Sequence, residues 1–450
     1  MLVCWWGLRR TVPTSSLVSA VFFAAFFVYS ILYYVVPSSK SVSIGAFAVI
    51  SLLVALGERR RSSFEASSRL PEGLVRTLVV AGLLIGWLAL RDAYAHGIGA
   101  DTVFVPLMGI TILSLLGWSL GRGLISGAEL ARHGAGYIGL SMVTAAVRGN
   151  DWITCSTSVT SKCTAAGRIY VGIYDSSNVL TLFAALTLLL ALQLPRSTWR
   201  AVLIVGLLVI MTITGSRTTL IAVAAVPLLG VIVAATARKK ATDVWAARGT
   251  VIALLFTMTA TIGFRFLYAH PDPFAFSRRG RVWLDIDTFV NPGSVAGLGR
   301  SRYKELLAEG HFFLHFPHSQ FLLLLFFGGM IAVVLYGILL VVAATAAKAQ
   351  TRLQLVLAVA PVLFIITHGL TEISWDAGSL DPYYFVVLVV VTSVTSPLKR
   401  PPEVAARPPT ISSEREDQRG SLWDARARRV GSVGTFDGNP VHLSWPTSQD

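Results

Sequence analysis

Three places in this 450-residue sequence carry side chains suited to holding an oxyanion or moving a proton. Arg217 stands in "TITGSRTTLIAV", where Gly215 and Ser216 join two apolar runs. The stretch 276–299, "FSRRGRVWLDIDTFVNPGSVAGLG", gathers Arg278, Arg279 and Arg281 ahead of Trp283 and a Pro/Gly-rich turn. His318 directly precedes "SQFLLLLFFGGMIAVVLYGILL". A guanidinium is planar and permanently charged, and it takes two oxyanion oxygens at once. A neutral imidazole accepts a proton near pH 7. Each residue type also has a plainer use. An arginine at the end of an apolar run snorkels to the interface, an arginine–tryptophan stretch contacts lipid headgroups, and a histidine at a helix start is often structural.

Metal chemistry is less well served. His311, His315 and His318 are spaced H-x3-H-x2-H, but Pro317 interrupts the helix that would align them, and no thiol or carboxylate is built in. Asp285 and Asp287 form a D-x-D, which any two aspartates two apart also match. The reading calls for no metal and no cofactor. Cys155 and Cys163 lie close enough for a disulfide on an oxidising side, or for two separate thiols, and Cys4 falls near the other face.

The elements that position these residues are read from composition. Hydrophobic side chains make up 54% of the chain and charged ones 14%, against roughly 25% charged in soluble domains. A bilayer core about 30 Å thick takes roughly 20 apolar residues as a helix. Runs of that kind fall near 15–36, 41–56, 73–90, 102–120, 134–147, 177–194, 199–214, 217–236, 250–268, 319–347, 352–369 and 382–396. The expectation is an all-α polytopic membrane protein of about twelve transmembrane helices. The 38 Lys and Arg outnumber the 24 Asp and Glu, for a net charge of +14. Many of these bases fall in alternate loops, at 59–61, 122–132, 196–200, 238–248 and 348–352. The positive-inside rule makes those loops and both termini cytoplasmic, so the excess signals orientation and not a nucleic-acid partner.

Two loops on the opposite side are long. One, 148–176, holds the cysteine pair, and 265–318, between the ninth and tenth spans, is basic against the orientation bias. The organisation is then 1–198 with the first six helices, 199–398 with the remaining helices and loop 265–318, and a cytoplasmic tail, 399–450. The tail is Pro-, Ser- and Arg-rich, a composition that reads as disordered.

In order along the chain, Gly215-Ser216-Arg217, then Ser277, Arg279 and Trp283, then Pro292, Gly297 and Gly299, then His318 with Leu322, Gly328 and Gly329 resemble the O-antigen ligase and polymerase superfamily. The resemblance covers about 200–345. In two respects the sequence departs from the family: Ser319 stands where an Asn commonly follows the histidine, and Arg278 and Arg281 are extra bases beside Arg279. The resemblance implies a glycosyltransferase in the bacterial cytoplasmic membrane. Its donor is a glycan on a polyprenyl diphosphate, and its acceptor is a hydroxyl of a glycan, lipid or protein on the extracytoplasmic side. It implies His318 as general base, with Arg217, Arg279 and, more weakly, Arg281 on the diphosphate. A single displacement inverts the anomeric centre without a metal. A polysaccharide or glycolipid transporter or flippase is the rival from another class, although such proteins place charge at the bilayer midplane. A polyprenyl-phosphate-sugar glycosyltransferase would carry acidic residues in the first outer loop, where "PSSKS" has none.

Overall fold

The computed structural model describes residues 14–36, 45, 47, 49, 70–121, 127–149, 152–154, 167–174, 176–194, 196–236, 279–289, 294–312, 317–346, 352–377 and 390. The chain divides into two compact units, 1–398 and 399–450, and every described residue belongs to the first. Among the described residues the helices are α1 (Thr14–Val35), α2 (Glu72–His96), α3 (Ala100–Gly121), α4 (Gly127–Arg148), α5 (Ser177–Ala191), α6 (Thr198–Ile213), α7 (Arg217–Thr236), α8 (Arg279–Phe289), α9 (Arg300–Ala308), α10 (Gln320–Ala346) and α11 (Arg352–Gly369). The first, third to eighth, tenth and eleventh apolar runs are therefore helices. The second, ninth and twelfth lie almost wholly outside the described residues, as do the tail and both cysteines of the 148–176 loop.

The all-helical expectation needs one correction. Loop 148–176 contains a short antiparallel hairpin, β1 (Trp152–Thr154) with β2 (Arg168–Tyr170), in the register Trp152 opposite Tyr170 and Thr154 opposite Arg168. Both segments are rich in β-branched and aromatic residues, which favour a pleated backbone. Trp152 sets its edge against the Tyr170 ring at 5.0 Å.

Three helices, Glu72–His96, Thr102–Ser119 and Gln320–Ala346, are long and apolar enough to cross a membrane. Several others are apolar but shorter, among them Ser177–Ala191 and Thr198–Ile213. Apolar side chains also face outward. Val79, Leu83 and Leu90 of α2 are each more than half exposed, as are Ile221, Leu228 and Val231 of α7. Such faces suit a lipid surround better than water. Helix α5 is buried along nearly its whole length, as expected of a helix that is apolar all round.

Helix neighbours run antiparallel. Gly73 at the start of α2 meets Ala346 at the end of α10, while Leu88 near the end of α2 lies against Gly328 in α10. Gly230 late in α7 meets Val356 early in α11. Asn178 at the start of α5 bonds Glu372 beyond the end of α11, and Gln193 past the end of α5 bonds the Leu357 carbonyl. The ends of α2 and α11 and the starts of α5, α7 and α10 therefore share one end of the bundle.

Helix α10 is interrupted at Gly329, with φ 66° and ψ −163°, a conformation open almost only to glycine. The break frees carbonyls before it and N–H groups after it, which cannot stay unpaired in an apolar surround. Segment 294–299 supplies the partners. The N–H groups of Leu298 and Gly299 donate to Phe326 and Phe327 carbonyls at 2.7 and 3.1 Å, and those of Met330 and Ile331 donate to Ser294 and Val295 at 3.0 and 3.2 Å. Gly297 (φ 69°) and Gly329 approach so closely that a Cβ on either would strike the other segment's backbone. Helix α2 closes the arrangement, with Trp87 Nε1 donating to the Gly328 carbonyl at 2.7 Å and Arg91 Nε to that of Gly297 at 2.8 Å.

Gly329→Ala should therefore cost at least the roughly 1–3 kcal/mol of placing a side chain in that backbone region, with the clash against Val295 added. Thermal unfolding of the detergent-solubilised protein should show a clear loss. Gly82→Ala, where a Cβ meets nothing within 4 Å, should leave the melting curve where it is.

Candidate functional site

His318 sits in the short turn between Pro317 and α10. Among the described residues it is the one non-glycine with positive φ, at 50°, a left-handed backbone that costs about 1–3 kcal/mol and persists only when its surroundings hold it. Trp283 of α8, fully buried, donates from Nε1 to the Pro317 carbonyl at 2.9 Å. On the other side, Gln320 opens α10 and is itself buried. Its Oε1 accepts the N–H groups of Ser374 and Trp375 at 3.0 and 2.8 Å, and its Nε2 donates to the Trp375 carbonyl at 2.8 Å. Three hydrogen bonds from one amide fasten segment 370–377 onto the start of α10.

That segment delivers Glu372. Its Oε2 lies 3.0 Å from His318 Nδ1, and its Oε1 accepts from Asn178 Nδ2 at 2.8 Å. The carboxylate is the inner partner, 5% exposed, while the imidazole is 23% exposed at the rim. In the tautomer whose proton is on Nδ1, that N–H donates to the carboxylate and the Nε2 lone pair is left for another partner. A neutral imidazole so oriented takes a proton from a group placed against Nε2.

The arginines reach the same end of the bundle by two routes. Arg217 is the first residue of α7 and is exposed, with no carboxylate partner among the described residues. The turn before it is pinned where the Thr181 hydroxyl donates to that of Thr214 at 2.6 Å, and Ser216 pairs with Thr219 at 3.0 Å. Thr181 lies one turn along α5 from Asn178, so the Arg217 turn and the Glu372 carboxylate hang on the same stretch of helix. Arg279 and Arg281 occupy the first turn of α8, with Arg279 one turn ahead of Trp283, and their side chains lie outside the described residues. Arg278 lies outside them altogether.

No protein-family model matches the chain, and neither does the sequence of any curated protein.

Several residues that hold this end together were not singled out in the sequence. Arg300, first residue of α9, lies 3.0 Å from the buried carboxylate of Asp376. Asp92, near the end of α2, takes the Ser301 N–H and hydroxyl at 2.8 and 3.0 Å and so caps the first turn of α9. Tyr303 of α9 packs on Phe312, Phe326 and Phe327, and its burial pushes the phenol far above its ordinary range, so it stays neutral. Glu372 and Asp376 sat in plain view in "HGLTEISWDAG", two carboxylates beside an apolar run. What marks them is a cost: a carboxylate at such a place has to be paired.

The histidine cluster separates. His311 lies against the Phe289 ring and 3.5 Å from Glu309, whereas His318 pairs with Glu372, and His315 lies outside the described residues. Among the described residues no group of three or more His, Cys, Asp or Glu is placed to hold a metal ion. Asp285 lends its backbone carbonyl to the Thr288 hydroxyl.

The Trp283 contact is separable from the volume of its ring. Trp283→Phe keeps an aromatic ring but strips the Pro317 carbonyl of a buried donor, a loss worth about 1–3 kcal/mol. Chemical or thermal denaturation in detergent should register it.

Proposed function

We propose that this chain is a membrane glycosyltransferase of the O-antigen ligase/polymerase kind, transferring a glycan from a polyprenyl diphosphate to an acceptor hydroxyl. The observation that carries the reading is the pairing of His318 with buried Glu372, in a strained turn, on the same end of the bundle as Arg217, which no described carboxylate answers. His318 Nε2 takes the hydroxyl proton as the acceptor oxygen forms its bond to the anomeric carbon. The bond from that carbon to the diphosphate breaks on the opposite face, and its electron pair leaves with the phosphate oxygen. Configuration is inverted. Arg217, Arg279 and Arg281 are assigned to the departing diphosphate, where fixed guanidinium charge offsets charge as it develops.

The wider architecture belongs to the same proposal. It has twelve spans in the bacterial cytoplasmic membrane, both termini inside, loop 265–318 outside, and the His318 end facing outward. What supports it is the alternation of basic loops together with the antiparallel run of the helices. Ligase, polymerase and protein O-glycosyltransferase share this donor chemistry and differ in the acceptor. A broken helix such as α10 is also a device of secondary transporters, where half-helix ends hold an ion. Here those ends are consumed by segment 294–299, which favours the transferase over the transporter or flippase.

Deleting the gene and comparing surface glycans with lipid-linked intermediates tests the reading. Full-length lipid-linked chains should accumulate for a ligase and single repeat units for a polymerase. No change in either would remove both. The accumulated lipid-linked glycan then serves as donor for purified protein in liposomes, with membranes of the deletion strain as acceptor.

In that assay His318→Ala should lower transfer by about 10²–10⁴-fold, the usual contribution of a positioned base, with the protein still folded. Wild-type transfer by this variant would remove the base assignment. Arg217→Lys keeps the charge but loses the two-pronged donor geometry, so it should raise KM for the donor and lower kcat. Unchanged kinetics would reduce Arg217 to an interfacial charge.

A further inference from the structure

Glu372 was not among the residues that the chemistry required, yet its placement answers a question the base leaves open, namely which nitrogen meets the acceptor. Building on the assignment of His318 as base, we propose that Glu372 is a positioning residue that fixes the imidazole in the Nδ1–H form, and that Asn178 holds the carboxylate in register for it. A neutral imidazole has one N–H and one lone pair, and either nitrogen can carry the proton. With Oε2 at 3.0 Å from Nδ1, a carboxylate, which only accepts, keeps that proton on the inner nitrogen. Once His318 has taken the acceptor proton on Nε2, both nitrogens carry protons, and the same carboxylate stands against the new positive charge. The proton moves from acceptor oxygen to Nε2 and Glu372 gains none.

Three features of the site support this role over simple packing. The carboxylate is nearly closed off while the imidazole reaches the rim, so the pair is ordered from inside outward. Its second oxygen is taken by Asn178 Nδ2 at 2.8 Å, from the helix that also anchors the Arg217 turn. Its backbone is set by the Glu372 N–H donating to the His368 carbonyl at 2.9 Å at the end of α11, and Gln320 holds the two residues that follow Ile373. The carboxylate therefore has little freedom to turn away.

A carboxylate offers two oxygens and no N–H, whereas a glutamine offers one of each. In Glu372→Gln, Asn178 can turn either end of its amide to match. The substituted side chain then faces the imidazole with oxygen or with nitrogen, and the protonation site is no longer specified. Adding Asn178→Asp restores the order. An acceptor-only group at that position takes the glutamine N–H and leaves the glutamine oxygen for Nδ1–H, and the negative charge returns one group farther out.

The test uses full-length variants in liposomes, with the lipid-linked glycan that accumulates in the deletion strain as donor. Glu372→Gln should lower kcat on the order of 10²-fold, within the range of a positioned base, with KM for the donor unchanged. The double variant Glu372→Gln/Asn178→Asp should recover about tenfold or more of that loss. Wild-type kcat in the single variant, or no recovery in a folded double variant, overturns the proposal. Should the single variant fail to fold, the double variant, which sets an acceptor against the glutamine N–H, decides alone: kcat within about tenfold of wild type supports positioning, and a loss equal to that of His318→Ala overturns it. His318→Ala in the same assay keeps the two ideas apart, because wild-type transfer there removes the base itself, whatever Glu372 does.

Discussion

The described structure depends on a rule that allows no exceptions in an apolar surround: every backbone N–H and carbonyl needs a partner. Helix α10 breaks that rule at Gly329 and then satisfies it from outside, because segment 294–299 enters the gap and pairs with the groups on both sides of it. Everything near His318 follows from this choice. The loop that fills the break leads directly into α9, whose first turn is capped by Asp92 and tied to Asp376 by Arg300. The first half of α10, fixed by the same break, carries Gln320 and the His318 turn at its start. A packing device in the middle of a helix thus sets the position of a side chain at its end.

The same logic governs charge. In a surround of low dielectric a buried carboxylate costs several kcal/mol unless it is paired, and the three buried carboxylates among the described residues each have partners. Asp92 is spent on Ser301, Asp376 on Arg300, and Glu372 on Asn178 and His318. The first two fasten α9 to α2 and to segment 370–377. The third differs because one of its partners, the His318 imidazole, reaches the rim.

Much of this was legible in the sequence, and the boundary between what was and was not is physical. Long apolar runs gave the helices over 73–90, 102–120 and 319–347, because length and hydropathy are local properties. Gly297, Gly299, Gly328 and Gly329 stood out as pieces of a pattern, but nothing local says that the two pairs are opposite faces of one contact. The hairpin at 152–154 and 168–170 was missed since three-residue strands leave almost no periodic signal. Glu372 and Asn178, almost two hundred positions apart, meet only once α5 and α11 pack antiparallel. The use of Arg91 and Asp92, holding Gly297 and Ser301, depends entirely on the fold of another segment.

The arginines permit one more step. Arg217, Arg279 and Arg300 are each the first residue of a helix, α7, α8 and α9. A helix start carries unpaired N–H groups and a partial positive charge, so a cation there is unfavourable by about 0.3–1 kcal/mol where an anion would be favourable. These residues are therefore not where they are for the sake of their helices. Arg352, which opens α11 at the opposite end of the bundle, falls among the loop bases that the positive-inside rule reads as orientation signals. Arg300 has one in Asp376. Arg217 has neither, since it is exposed and no carboxylate among the described residues answers it. Under the proposed function, a cation set against a helix dipole, without a counter-ion among the described residues and beside a turn pinned to the helix that also holds the carboxylate behind His318, is suited to an anion that arrives from elsewhere. The donor diphosphate of the proposed function meets that description, and the partial positive charge of a helix start favours a phosphate as much as it disfavours the arginine.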